Sequence, residues 1–221
     1  MSGRTIAIGD IHGCYLALEA VLNELVVHNT DTIVTLGDYV DRGPESNRVI
    51  ERLLQLQNQC HLVSLMGNHE VMLLSALQDP RDLEFWMHCG GAETLESYGG
   101  VVESIPESHI EFIEQCALAY ESDQHVFVHA NYQPDCPIDE QDEQTLLWTH
   151  LGFEAPRRHV SGKTVVVGHT PQLSGEVLDR GHLICIDTFC FGDGWLTALD
   201  VQSKQVWQAD KQGTVRTDSP D

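Results

Sequence analysis

Positive charge is scarce in this chain. Its 221 residues hold 12 Lys and Arg against 34 Asp and Glu, a formal net charge of −22. Nonspecific nucleic-acid binding and attraction to anionic membranes both depend on basic residues, so neither is expected. Long apolar runs are also missing. Stretches such as Thr164–Val167 and Leu183–Ile186 fall far short of the roughly 20 residues that span a bilayer. Met1-Ser2-Gly3-Arg4 leads straight into a strand-like run without an apolar leader, so no secretory signal is expected. The seven cysteines are odd in number and include no C-x-x-C pair, which argues against a disulfide framework and a structural zinc site. Reduced thiols and a cytoplasmic location are the corresponding expectation. Internal repeats, low-complexity tracts and linkers are absent. The reading is one domain over 1–221, with a loose tail from about Asp210.

What is present is ordinary globular material, 42% hydrophobic and 21% charged. The first seventy residues repeat one grammar. Thr5-Ile6-Ala7-Ile8, Thr32-Ile33-Val34-Thr35-Leu36 and Leu62-Val63-Ser64-Leu65-Met66 are β-rich runs, closed by Gly9, Gly37 and Gly67. Between them, Leu18, Val21, Leu22 and Leu25, then Val49, Ile50, Leu53 and Leu54, follow helical spacing, with Pro44 at a first turn. That is βαβαβ order, and it predicts parallel strands in an α/β fold. Short helices are predicted over Val71–Leu77, Leu83–Met87 and Ala92–Tyr98, and a longer one from Pro106 to about Ala119. Further strands are predicted at His125–His129, Thr164–Val167, Glu176–Leu178, Leu183–Ile186, Leu196–Val201 and near Gln205–Gln208, with a surface loop at Asp135–Gln144.

Every early strand ends in a polar cluster: Gly9-Asp10-Ile11-His12-Gly13, Gly37-Asp38-Tyr39-Val40-Asp41-Arg42-Gly43 and Gly67-Asn68-His69-Glu70. His129 and His169 close two later β runs. Ligands bind outside the carboxyl ends of parallel strands, so these clusters should converge. Carboxylate, amide and imidazole together suit Mn, Fe, Zn or Mg rather than a thiolate-bound ion. Asp10, His12, Asp38, Asn68, His129 and His169 are too many ligands for one ion, and they suit two ions sharing a carboxylate. Two divalent ions and Arg42 would also supply, locally, the positive charge that an acidic protein needs to handle a phosphoryl group.

In order and spacing, these motifs with His129-Ala130 and Gly168-His169-Thr170 cover about residues 5–190. They resemble the metallophosphoesterase superfamily, in particular the compact bacterial and phage members of its phosphoprotein-phosphatase (PPP) family. They are also similar to symmetrical diadenosine tetraphosphatases. The resemblance implies a calcineurin-like fold, two mixed β-sheets flanked by helices in an αββα sandwich. It implies that Asp10 and His12 bind a first ion, that Asp38 bridges both, and that Asn68, His129 and His169 complete the second. Manganese leads as the metal, with Fe, Zn, Ni, Co or Mg as alternatives. A bridging water or hydroxide would attack, His69 would protonate the leaving group with Asp41 holding its imidazole, and Arg42 would grip phosphoryl oxygens. Glu70 reads as a support or a helix start.

The implied activity is hydrolysis of phosphoserine and phosphothreonine, with phosphotyrosine also in view, on a phosphoprotein or small phosphorylated substrate. The alternative is a nucleotide polyphosphate hydrolase. A catalytically dead binding module would lack a metal ligand or His69, and none is lost. No cysteine lies in a C-x5-R loop, which disfavours cysteine-phosphatase chemistry. Two arginines common in relatives are replaced by Met66 and by His150 after Leu147-Trp148, leaving Arg157, Arg158 or His150 as substitutes. Asp187-Thr188 and Phe191–Trp195 resemble the family's closing hairpin near the metals. Trp86, Gly90-Gly91 and Tyr98 resemble a helical insert whose aromatics read as core packing.

Overall fold

The computed structural model describes residues 3–216. Three β-rich runs become parallel strands β1 (Thr5–Ile8), β2 (Thr32–Thr35) and β3 (His61–Ser64). Their register pairs Ile8 with Thr35 and Thr35 with Ser64, so all three stop at one level. Helices α1 (Tyr15–Leu25) and α2 (Ser46–Leu56) make the crossovers. Pro44 sits just ahead of α2 rather than inside its first turn. The middle of the chain is helical: α3 (Asn68–Gln78), α4 (Pro80–Trp86), α5 (Ala92–Ser97) and α6 (Glu107–Glu114).

A second sheet follows, built from β4 (Ala119–Glu121), β5 (His125–Val128), β6 (Thr164–Val167), β7 (Leu178–Asp179) and β8 (Leu183–Cys185) in the order β4-β5-β6-β8-β7. Helix α7 (Glu143–Trp148) lies in the β5–β6 connection. The chain then returns to the first sheet with β9 (Asp187–Thr188), β10 (Trp195–Asp200) and β11 (Val206–Ala209). The first sheet reads β11-β10-β1-β2-β3, with β9 on β10, and β10 antiparallel to β1.

Period-two alternation explains the layers. Ala7, Val34, Phe127, Val166 and Ile184 point between the sheets. Ile6, Ile8 and Ile33 point outward onto Leu18, Val21, Val49, Ile50 and Leu53 of α1 and α2. Val126, Val128, Val165 and Val167 point outward onto Leu146 and Leu147 of α7. Strands buried on both faces read as continuous apolar runs, which is why the sequence shows them plainly. The αββα arrangement expected from the resemblance is the observed one.

Four local expectations change. The helix from Pro106 stops at Glu114, because the Ala117 N–H donates to the Ser64 carbonyl (2.9 Å) and its own carbonyl accepts from Met66 (2.8 Å). Ala117 thereby extends the β3 edge, and Ala119–Glu121 pairs antiparallel with β5. The acidic segment 135–144 includes the start of α7, whose Asp142 carboxylate accepts from the Thr145 N–H at 2.8 Å. The strand expected at Glu176–Leu178 shrinks to Leu178–Asp179. The supposed tail is tied down through Arg216: Ala209 bridges Val215, and the Arg216 N–H donates to the Gln208 carbonyl at 2.9 Å. Its last part, 217–221, lies outside the described residues.

Candidate metal centre and catalytic site

Every expected site residue lies at a strand's carboxyl end. Asp10 and His12 follow β1, Asp38, Asp41 and Arg42 follow β2, and Asn68 and His69 open α3 after β3. His129 follows β5 and His169 follows β6. The closing glycines allow this crowding. A Cβ on Gly67 would lie 2.3 Å from Asp38 Oδ1, and one on Gly168 would lie 2.1 Å from Asp10 Oδ1. Neither loop could approach its carboxylate with any other residue there. His12, Asp38, Asp41, Arg42 and His169 all take positive φ, between 46° and 72°, a region L-residues avoid.

The Asp38 carboxylate is the centre. Its Oδ2 lies 3.4 Å from His12 Nε2, and its Oδ1 lies 3.4 Å from His129 Nε2. Two ligand groups share it, His12–Asp38–His69 and Asp38–His129–His169, each with donor atoms within 4.8 Å of one another. Asp10 joins by accepting the His169 N–H at 3.0 Å. Burial pushes Asp38 upward, but the surrounding His129, His69, His12 and His169 outweigh it and hold it below the ordinary carboxylate value. Burial pushes Asp10 up, with Asp187 and Asp38 adding to it, and burial also pushes Asp187 up to about 7.

The tautomers are fixed from outside. His12 Nδ1 bonds the Val40 carbonyl at 2.9 Å, and His129 Nδ1 bonds the Leu36 carbonyl at 2.7 Å. Burial lowers the pKa of both rings, and lowers that of His169 to about 3, so all three favour the neutral form. The Nε2 lone pairs of His12 and His129 therefore face the Asp38 oxygens, with Asn68 Oδ1 a further acceptor 3.0 Å from His129 Nε2. His169 Nε2 is buried with no hydrogen-bond partner. Carboxylate, amide and imidazole acceptors outnumber the donors that reach them here, His169 Nε2 has none, and this ligand set fits divalent ions.

A second constellation adjoins the first. His69 Nδ1 lies 2.7 Å from Asp41 Oδ2, and the His69 N–H donates to Asp38 Oδ1 at 3.1 Å. Burial disfavours the charged ring, but Asp38 and Asp41 prevail and raise its pKa. Asp41 is wholly buried and accepts from Trp86 Nε1 (3.0 and 2.9 Å) and Thr94 Oγ1 (2.8 Å). Its own N–H donates to Thr94 Oγ1 at 2.8 Å. Arg42 NH1 reaches His12 Nε2 at 2.8 Å, while its guanidinium carbon lies 4.5 Å from the Phe191 ring centroid.

Glu70 holds the β2 loop from beneath. Its Oε1 accepts from the Tyr39 N–H (2.8 Å) and its Oε2 from the N–H groups of Asp38 (2.8 Å) and Gly67 (3.0 Å). Burial and Asp38 push it up to about 8, against the pull of those donors.

The structure also sorts the substitutes for the missing arginines. His150 stacks on His169, with centroids 4.3 Å apart, and so borders the site. Arg157 pairs with Asp135, and Arg158 donates to the carbonyl of Gly162, before the start of β6 and thus at the opposite end of that strand. Met66 packs into the core. Trp86, Thr94 and Gly90, whose carbonyl accepts from the Arg42 N–H at 3.0 Å, carry supporting roles that the sequence reading missed. Only the polar tip of Trp86 hinted at more than packing.

Fold and site together define a metal-dependent phosphoester hydrolase. The calcineurin-like phosphoesterase family matches residues 3–196, and the chain belongs to it. It is 32% identical over 212 residues to serine/threonine-protein phosphatase 2 of Salmonella typhimurium, covering 88% of this chain and 91% of that protein. It is 29% identical over 227 residues to the asymmetrical bis(5'-nucleosyl)-tetraphosphatase of Oceanobacillus iheyensis, covering 90% and 88%. The fold is similar to that of a cold-active protein-tyrosine phosphatase from a psychrophilic Shewanella species, with a TM-score of 0.66 and 16% identity over 98% of this chain and 80% of that one. Among the described residues no helix is long and apolar enough to cross a membrane.

Proposed function

We propose that this enzyme is a dinuclear-metal phosphatase of phosphoserine and phosphothreonine monoesters, on phosphoproteins or small phosphorylated molecules in the cytoplasm. The observation that carries the reading is the pairing of two His–carboxylate groups through Asp38 with the adjoining His69–Asp41 contact of 2.7 Å. The relative from Salmonella, similar along nearly its whole length, supports the substrate class. Asp10 and His12 would hold one ion, Asn68, His129 and His169 the other, with Asp38 between and manganese the leading candidate. When bound, the ions activate water and offset phosphoryl charge.

The chain's own part follows from the geometry. Arg42 binds phosphoryl oxygens with its guanidinium. His69, whose pKa Asp38 and Asp41 raise, places a proton from Nε2 on the leaving alkoxide oxygen as the P–O bond breaks. Asp41 fixes the tautomer through Nδ1 and stabilises the imidazolium. Hydrolysis of a nucleotide polyphosphate is the second reading, supported by the relative from Oceanobacillus.

The test is manganese-reconstituted phosphate release, comparing kcat/KM for a phosphoserine/phosphothreonine peptide and for diadenosine tetraphosphate. Preference for the peptide is expected, and preference for the dinucleotide would replace the first reading by the second. Chelation should abolish turnover on either, and His69→Asn should lower it by about 10²-fold or more. Turnover that survives both treatments would overturn the mechanism.

A further inference from the structure

The supposed tail builds one wall of a cavity beside the catalytic arginine. This cavity, about 280 Å³, is lined by Arg42, Pro44, Glu45 and Phe191 together with Lys211 and Gln212. Arg42 divides it from the metal nest: NH1 reaches His12, while the guanidinium also lies against the Phe191 ring. A phosphoryl group held by Arg42 would therefore border this cavity.

Lys211 is held there by a closed turn. Asp210 Oδ1 accepts the N–H groups of Gln212 (3.0 Å) and Thr214 (2.8 Å), and the Gly213 N–H returns to the Asp210 carbonyl at 2.8 Å. The turn rests on α1, where a Cβ on Gly213 would lie 3.2 Å from the Leu16 carbonyl oxygen. Glu45, the one acid among the described lining residues, is ion-paired with Arg48, so Arg42 and Lys211 set the local charge there. In a chain of net charge −22 holding 12 basic residues, two cations lining one cavity are a departure from the general surface.

We infer that this cavity is a substrate subsite for a second anionic group, phosphate or carboxylate, carried next to the scissile phosphoryl group, and that Lys211 is its specificity-determining residue. The inference rests on the phosphatase reading above and deepens it. A substrate that bears only one phosphate fills the Arg42 end. A substrate with a neighbouring anion also engages the Lys211 ammonium, with the Phe191 ring as an apolar wall.

The experiment measures kcat/KM of the manganese-loaded enzyme, wild type, Lys211→Met and Lys211→Arg. The substrates are p-nitrophenyl phosphate, diadenosine tetraphosphate, and phosphoserine peptides with acidic or with neutral flanks. Lys211→Met should cost the substrates with a second anion about tenfold relative to p-nitrophenyl phosphate, chiefly in KM, as expected for losing one charge-assisted contact. Lys211→Arg should restore most of the ratio, and the gap should close toward 1 M salt. A selective loss on the dinucleotide assigns the subsite to phosphate, and one on the acidic peptide assigns it to carboxylate. Wild-type turnover with unchanged substrate ratios in Lys211→Met would overturn the subsite alone. Absence of wild-type turnover on every substrate would overturn the phosphatase reading and the subsite with it.

Discussion

Replacing Trp86 by phenylalanine should slow the enzyme in a substrate-dependent way. The indole Nε1 lies 3.0 and 2.9 Å from the two oxygens of Asp41, a carboxylate with 0% exposure. Two other side chains contact those oxygens, His69 at 2.7 Å and Thr94 at 2.8 Å. Phenylalanine keeps most of the packing but removes a donor from a buried charge, about 1.5–3 kcal/mol. The smaller ring leaves a void beside Gly91, costing about another 1 kcal/mol. For a chain of this size the sum lowers Tm by roughly 5–16 °C.

The kinetic consequence separates a positioning residue from a packing one. Asp41 with fewer constraints aims His69 less well, so the loss falls on the step in which His69 delivers its proton. A phosphoserine peptide, whose alkoxide needs that proton, should lose about tenfold in kcat, a part of the 10²–10⁴-fold that general acid catalysis supplies. With p-nitrophenyl phosphate the phenolate leaves without a proton, and kcat should change little. Steady-state kinetics on both substrates, well below the variant's Tm, decides the matter. Equal losses on the two, or full phosphoserine turnover beside the expected drop in Tm, would refute the reasoning and leave Trp86 as core packing only.

Gly168→Ala should weaken metal binding, because its Cβ would displace Asp10 from 2.1 Å; manganese titration by EPR should show one site weakened, and wild-type affinity at both would contradict the placement of Asp10. Asp31→Asn should destabilise the fold by about 2 kcal/mol at neutral pH, since the buried Asp31 holds the partly exposed Arg4 through Nε at 3.1 Å and NH2 at 2.5 Å. Burial opposes ionisation of Asp31, but Arg4 and the His28 N–H lower its pKa overall. Its contribution is therefore complete above the unfolded value near about 3.9 and is lost as pH falls through the folded value. Urea midpoints of the two proteins should differ at pH 7 and converge below about pH 4, whereas a constant difference would contradict the ion-pair account.

The strands and the convergence of the candidate ligands were legible because one local signal repeated. Ile6 to Ile8, Ile33 to Leu36 and Val126 to Val128 are short β-rich runs, each followed within two residues by a polar residue at the level where parallel strands end. Asp10, Asp38 and His129 could therefore be placed without knowing any contact. Contacts between distant segments left no such mark. Trp86 meets Asp41 across 45 residues and Thr94 meets it across 53, and neither residue type betrays a hydrogen bond to a carboxylate. Ala117 and Ala119 were misread because a short apolar stretch fits a helix end as well as a strand, and only pairing with Ser64 and β5 decides. The segment after Asp210 is polar and rich in turn formers, which reads as a tail unless its bonds to Gln208 and its packing on α1 are known.

The positive φ angles at His12, Asp38, Asp41, Arg42 and His169 have an energetic consequence for the whole chain. At about 1–2 kcal/mol each, the five residues hold roughly 5–10 kcal/mol of backbone strain. Ions that bind these loops only when folded add RT ln(1 + [L]/Kd), about 2.7 kcal/mol apiece at a hundredfold excess over Kd. The two quantities are of one order, so folding and ion binding are thermodynamically linked. With ions held as proposed, the protein's resistance to heat would follow divalent-ion concentration, and easing the backbone at His12, Asp38 or His169 would exchange ion affinity for stability of the metal-free fold.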